Sequence, residues 1–207
     1  MKKYVVEFIG TFFLVFVVLM TGNPLAIGAI LMVMVYAGGH ISGAHYNPAV
    51  TLAVSIRKKI SPAAAAGFMI VQIIAGFVAS FIAFYFLHPN FKAPAPMPDI
   101  NILKPAFIEM LFTFALAYVV LNVATHSKTA GNSYYGLAIG FTITAAAFAG
   151  GPFSGDAFNP AVGIGPILVD TIWNHGNSLA HAWLYVLCPF LGGTVAGILF
   201  NWLNPEE

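Results

Sequence analysis

Residues 42–50 read SGAHYNPAV and residues 154–162 read SGDAFNPAV, one word repeated at an offset of 112 positions in a chain of 207 residues. This duplication restricts the fold more than any other feature, because Asn-Pro is a signal for the start of a helix. The Asn side-chain oxygen accepts a hydrogen bond from a free backbone N–H of the first turn. Pro suits the next position, where its missing N–H costs nothing and its fixed φ is already helical. Each copy therefore predicts a helix that begins inside otherwise apolar sequence. The likeness extends outward: GGHISGAHYNPAV at 38–50 and GGPFSGDAFNPAV at 150–162 agree at eight of thirteen positions without a gap. Glu7 and Thr11 have the spacing of Glu109 and Thr113, and Gln72 to Gly76 has that of Pro189 to Gly193. The chain is thus read as one domain, 1–207, made of two repeats over roughly 1–87 and 105–207.

The surroundings of the two words are those of a membrane protein. Hydrophobic residues make up 59% of the chain and charged residues 7%, against about 25% charged in soluble domains, and the mean hydropathy is +0.87. A net charge of +1 with no basic block excludes a nucleic-acid partner, since neutralising phosphates takes clustered Lys and Arg. Cys188 is the only cysteine, which leaves no internal disulfide and no cysteine-based metal site. The N-terminal stretch has the basic head and apolar body of a signal peptide, but Glu7 interrupts it, and it is read as a first span that is kept.

Crossing the hydrocarbon takes about 20 mostly apolar residues. Six segments are expected to do so, with bounds that slip by a few residues: roughly 4–21, 24–39, 62–87, 105–125, 134–149 and 179–203. The second and fifth look short because each runs straight into Gly38-Gly39 or Gly150-Gly151 and then into one of the repeated words, and two further pieces, about 48–57 and 160–170, are too short to cross. The proline-rich stretch HPNFKAPAPMPD separates the halves. Three crossings per repeat make the second copy enter from the opposite side, an inverted repeat. With the termini in the cytoplasm, Lys2, Lys3, Arg57, Lys58, Lys59 and Lys128 lie inside and only Lys92 and Lys104 outside, as the positive-inside rule requires.

Inversion turns the two predicted helix starts toward each other near the bilayer midplane. Irregular backbone at that depth is tolerated only where protein buries it or water lines it. Each helix N-terminus carries about half a positive charge, so two of them converging oppose a cation. If the side-chain amides of Asn47 and Asn159 face a lumen, they donate to a passing water and disfavour proton relay. The reading is a channel.

The pattern resembles the aquaporin or major intrinsic protein family across nearly the whole chain. The residues that carry the likeness are Glu7 and Thr11, GHISGAHYNPAVT at 39–51, Gln72, Glu109, Asn159-Pro160-Ala161 with Gly165-Pro166, and Pro189 with Gly193. That resemblance implies an all-α membrane fold of six transmembrane helices and two re-entrant half-helices in inverted repeats, a pore in every subunit, a homotetramer, and no cofactor. It implies that Asn47, Pro48, Ala49, Asn159, Pro160 and Ala161 form the centre of the pore. It also implies that Glu7 and Glu109 accept hydrogen bonds from the re-entrant backbone, with His40 and His45 flanking the inner loop, His40 as a buried hydrogen-bonding residue and His45 lining the pore. Proteins of the family usually carry Arg directly after the second Asn-Pro-Ala, and this chain has Val162. The other outer-filter positions correspond to Ile27, Ala147 and Asp156. Such a filter is expected to be wider and more apolar, and it lacks a fixed positive charge. Asp156 has two readings: its carboxylate faces the lumen, or it turns away and accepts loop N–H bonds.

The expected activity is passive conduction of water and small uncharged solutes such as glycerol, urea, ammonia or hydrogen peroxide, in a plasma or inner membrane. Two alternatives stay open: a non-conducting structural or junctional protein of the same fold, its pore plugged by Phe153 and Phe158, and a channel that leaks protons or cations. No constellation of nucleophile, base and orienting residue is present, so an enzyme is not expected. His126, His175 and His181 lack the paired spacing of a metal site.

Overall fold

The computed structural model describes residues 1–206 as eight α-helices. Six are long and apolar enough to cross a membrane: α1 (Lys2–Thr21), α2 (Pro24–Ser42), α4 (Pro62–Leu87), α5 (Leu103–Ala124), α6 (Tyr135–Ser154) and α8 (Ala182–Leu203). Two are short, α3 (Pro48–Ile56) and α7 (Pro160–Trp173). At 9 and 14 residues and a rise of about 1.5 Å per residue, neither reaches across a hydrocarbon core of about 30 Å. The fold is the expected all-α one of six spans and two half-helices.

Each short helix starts where its Asn-Pro pair sets it. Asn47 accepts from the N–H groups of Ala49 and Val50, and Asn159 from that of Ala161, with Pro in the first turn of both helices. Asn23-Pro24 opens α2 by the same device on the exposed surface.

The second and fifth spans run a few residues past their rough sequence bounds. Neither helix stops at its glycine pair; α2 runs on to Ser42 and α6 to Ser154, each terminated by a left-handed glycine, Gly43 (φ 96°) and Gly155 (φ 89°). A glycine inside a helix costs only about 1 kcal/mol, too little to end one that packs well. The pairs instead permit close approach: a Cβ on Gly38 would strike Tyr46, and one on Gly151 would strike the carboxylate of Asp156.

Packing follows the twofold repeat. Helix α1 lies on α4 as α5 lies on α8, and α2 meets α6 between the halves. The half-helices dock across: α7 against α4 and α3 against α8. Two corresponding glycines make these contacts. A Cβ on Gly76 of α4 would lie 2.5 Å from the carbonyl oxygen of Ala161, and one on Gly193 of α8 would collide with that of Ala49. Each half thus holds the other's Asn-Pro-Ala turn.

Candidate functional site

Between the end of each long helix and its half-helix run five residues, Gly43–Asn47 in the first half and Gly155–Asn159 in the second. Both stretches carry the same unusual backbone, with positive φ at Ala44, Tyr46, Asp156 and Phe158 in addition to the two glycines. Left-handed conformations are disfavoured for residues with a side chain, and they persist only where the surroundings over-determine them. Here the restraint comes from two buried glutamates.

Glu7 of α1 is fully buried and accepts four hydrogen bonds: from the Ser42 hydroxyl (2.7 Å), the His45 N–H (3.0 Å), the Tyr46 N–H (2.8 Å) and the Gln72 amide (2.8 Å). Glu109 of α5 takes the corresponding place and accepts from the Ser154 hydroxyl (2.7 Å), the Ala157 N–H (3.3 Å) and the Phe158 N–H (2.6 Å). Pro189 occupies the position of Gln72, so the second half lacks the fourth donor. Tyrosine hydroxyls complete the scaffold, Tyr46 donating to the Met34 carbonyl and Tyr185 to that of Ser154. Spacing alone points to Glu7 and Glu109, but nothing local marks Ser42, Ser154 or Tyr185 as their neighbours.

With their N–H groups turned to the glutamates, the loops present carbonyls to each other. The Asn47 amide donates to the Phe158 carbonyl (3.0 Å), and the Asn159 amide donates to the Tyr46 carbonyl (2.9 Å). The two helix starts are therefore bonded reciprocally across residues 111 and 113 positions apart. Each NH2 group has two donors; one is spent on this crossing and one remains.

Both asparagines line a narrow cavity of about 20 Å³, room for one or two waters. Ile27, Ala147, Asp156 and Val162 border the same cavity, as do His45, Tyr46 and Phe158. A vestibule lined by Lys3, Tyr4 and Lys59 shares His45 and Val120 with it. A second vestibule, lined by Asn90, Lys92 and Ala95, shares Val18, Ile27 and Asp156 with it. His45 holds its ring by an Nδ1 contact to the Thr51 hydroxyl (3.1 Å) and an edge-on contact with Phe68.

Three expectations meet specific geometry here. His40 is exposed on the last turn of α2, along the wall of a separate vestibule; it makes no hydrogen bond to the loop among the described residues, because the end of α2 turns it outward, so the buried role is corrected. Asp156 does not accept the loop N–H groups, which Glu109 has taken; its Oδ1 is buried without a partner. Phe153 is 43% exposed and does not border the cavity, while Phe158 packs its ring edge-on against Phe112. Among the described residues no group of three or more His, Cys, Asp or Glu could hold a metal.

The major intrinsic protein family matches residues 1–200. The chain belongs to that family. It is 37% identical to glycerol uptake facilitator protein-like 6 of Lactiplantibacillus plantarum over the full length of both. It is 35% identical to aquaporin NIP1-4 of Oryza sativa subsp. japonica, covering 97% of this chain and 76% of the other. The X-ray structure of the aquaglyceroporin from Plasmodium falciparum superposes with a TM-score of 0.85 over 97% of this chain and 95% of that one, at 21% identity, which speaks for the fold. As a member of the family the chain is an integral multi-pass membrane protein and a channel, not an enzyme.

Proposed function

We propose that this protein conducts water and small uncharged solutes passively through the cavity between the two Asn-Pro-Ala turns. The observation that carries this is the reciprocal bonding of Asn47 and Asn159 across the midline, which fixes two helix N-termini and two spare amide donors on one small cavity that shares lining residues with a vestibule on each side. The converging N-termini oppose cations, and the spare N–H groups hold a water oxygen, so its hydrogens point away along the file and a proton is not relayed.

Ile27, Ala147, Asp156 and Val162 set the outer constriction. Ala147 and Val162 are short and apolar where the family pattern has bulkier polar groups, which widens the ring and removes its fixed positive charge. Water fits the cavity of about 20 Å³ as it stands; glycerol, the solute in the name of one relative, is larger and requires lining side chains to move aside. The termini face the cytoplasm of a plasma or inner membrane, supported by the distribution of Lys and Arg, and the subunits assemble as a tetramer as is usual for the family.

Reconstituted vesicles test the reading. Osmotic shrinkage should be faster than in protein-free vesicles, and Val162→Arg should exclude glycerol more strongly than water. Shrinkage no faster than in protein-free vesicles would refute conduction, and an unchanged glycerol-to-water ratio in Val162→Arg would refute the filter assignment.

A further inference from the structure

The outer ring carries no cation, since Val162 stands where the family pattern has Arg, but the vestibule beside it does. Among the described residues that line this vestibule only two are charged, Lys92 and Asp156. Much of the remaining wall is hydrocarbon, from Leu19, Ile27, Leu87 and Pro94. Low-dielectric walls focus the field of a charge into a cleft, whereas on an open surface salt would screen it. Lys92 lies on residues 88–102, the strap that joins α4 to α5, and the strap is fastened on both sides of it. Phe91, its neighbour, is 3% exposed, packs edge-on against Phe84 (ring centroids 5.5 Å apart) and accepts at its carbonyl from the Asn174 amide (3.5 Å). Three residues further on, Ala95 rests on the re-entrant loop: a Cβ on Gly155 would lie 2.6 Å from the Ala95 carbonyl oxygen. The Met97 N–H then donates to the Phe153 carbonyl (3.0 Å). The backbone of Lys92 is thereby held at the mouth, close to the stretch that contains Asp156. The two charges sit differently. The Asp156 carboxylate is packed into the notch left by Gly151, with Oδ1 buried, and acts on the mouth through its field, whereas Lys92 is exposed.

Resting on the channel reading above, we propose that Lys92 is the cation-excluding residue of the outer mouth, supplying from the strap between α4 and α5 the fixed positive charge that position 162 lacks. Its ammonium raises the energy of a cation in the vestibule and offsets the attraction of Asp156. It acts in series with the two helix N-termini that converge further in. A neutral solute experiences neither barrier. With Lys92 removed, Asp156 is left as the only charge on the vestibule wall, and the mouth changes from one that repels cations to one that attracts them. The exclusion of ions is thus shared between a loop residue and the half-helices, and it does not require a charge in the ring itself.

The test is the ratio of two fluxes in the same vesicles. Potassium efflux down its gradient is read by an internal pH dye, with a protonophore present to balance charge, and water flux is read as osmotic shrinkage. Lys92→Gln should raise the potassium-to-water ratio about tenfold over wild type, the factor that corresponds to about 1.4 kcal/mol of lost repulsion. Lys92→Arg keeps the charge and should match wild type. Lys92→Gln combined with Asp156→Asn removes both charges and should fall between the two; Asn tolerates the left-handed backbone at position 156, so the loop is kept. A wild-type ratio in Lys92→Gln, or a ratio raised as much by Lys92→Arg as by Lys92→Gln, overturns the role of the Lys92 charge while fast shrinkage still shows a channel. A double variant that leaks as much as Lys92→Gln overturns the offset of Asp156. Wild-type shrinkage no faster than in protein-free vesicles overturns the channel itself.

Discussion

Asn159→Ala isolates the bond between the two half-helices, because the molecule contains its own control. Asn23 caps α2 through bonds to Leu25 and Ala26 (2.9 and 3.3 Å), is followed by Pro24 and is exposed. Asn159 makes a cap bond to Ala161 (2.9 Å) and also the crossing bond to the Tyr46 carbonyl (2.9 Å), both buried. Losing a cap costs about 1 kcal/mol, which is the whole expected cost of Asn23→Ala. Asn159→Ala loses that and also leaves the buried Tyr46 carbonyl unpaired, a further cost of about 1–3 kcal/mol. The total is about 2–4 kcal/mol, two to four times that of the control. The assay is unfolding by sodium dodecyl sulfate in mixed micelles, followed by the fluorescence of Trp173, Trp183 and Trp202. Asn47→Ala should behave like Asn159→Ala, and the double variant should show a coupling of about 0.5 kcal/mol or more, since both bonds close one interface. Equal costs for Asn23→Ala and Asn159→Ala would refute the claim that the crossing bond contributes to stability.

Gly76→Ala and Gly193→Ala should each destabilise by about 1–3 kcal/mol in the same unfolding assay, the usual cost of overpacking, because the added methyl meets a backbone carbonyl that cannot swing away; a neutral result would mean that the half-helices sit more loosely. Tyr185→Phe removes the bond to the Ser154 carbonyl (2.6 Å) and should cost about 0.5–1.5 kcal/mol, with Tyr46→Phe, which removes the bond to Met34 (3.0 Å), in the same range. Gln72→Leu takes one of four donors from Glu7 and one partner from Thr51. It should destabilise the protein and slow shrinkage of reconstituted vesicles, whereas Pro189→Leu, at the related position where no such bond exists, should slow shrinkage less.

The fold could be read from the sequence because its signals are local or periodic. Apolar length gives the six spans, Asn-Pro gives the two helix starts, and three crossings per repeat make the halves antiparallel. The glycine pairs left the ends of α2 and α6 loosely bounded, because the cost of a glycine in a helix is small beside what close packing against Tyr46 in one half and Phe158 in the other returns. His40 misled in another way: its place three residues before Gly43 is clear in the sequence, but which way the last turn of α2 points is not.

What the tertiary structure alone decides is where each polar group spends its bonds. The partners of Asn47 and Asn159 lie more than a hundred residues away and are carbonyls, which every residue has, so no pattern of side chains announces them. The left-handed backbone at Ala44, Tyr46, Asp156 and Phe158 is set by Glu7 and Glu109 from other helices, not by the residues that adopt it. Asp156 is the clearest case. The sequence supplies a carboxylate beside the second Asn-Pro-Ala; that its Oδ1 is left buried and unpaired follows only because Glu109 has already claimed the N–H groups it would otherwise have met.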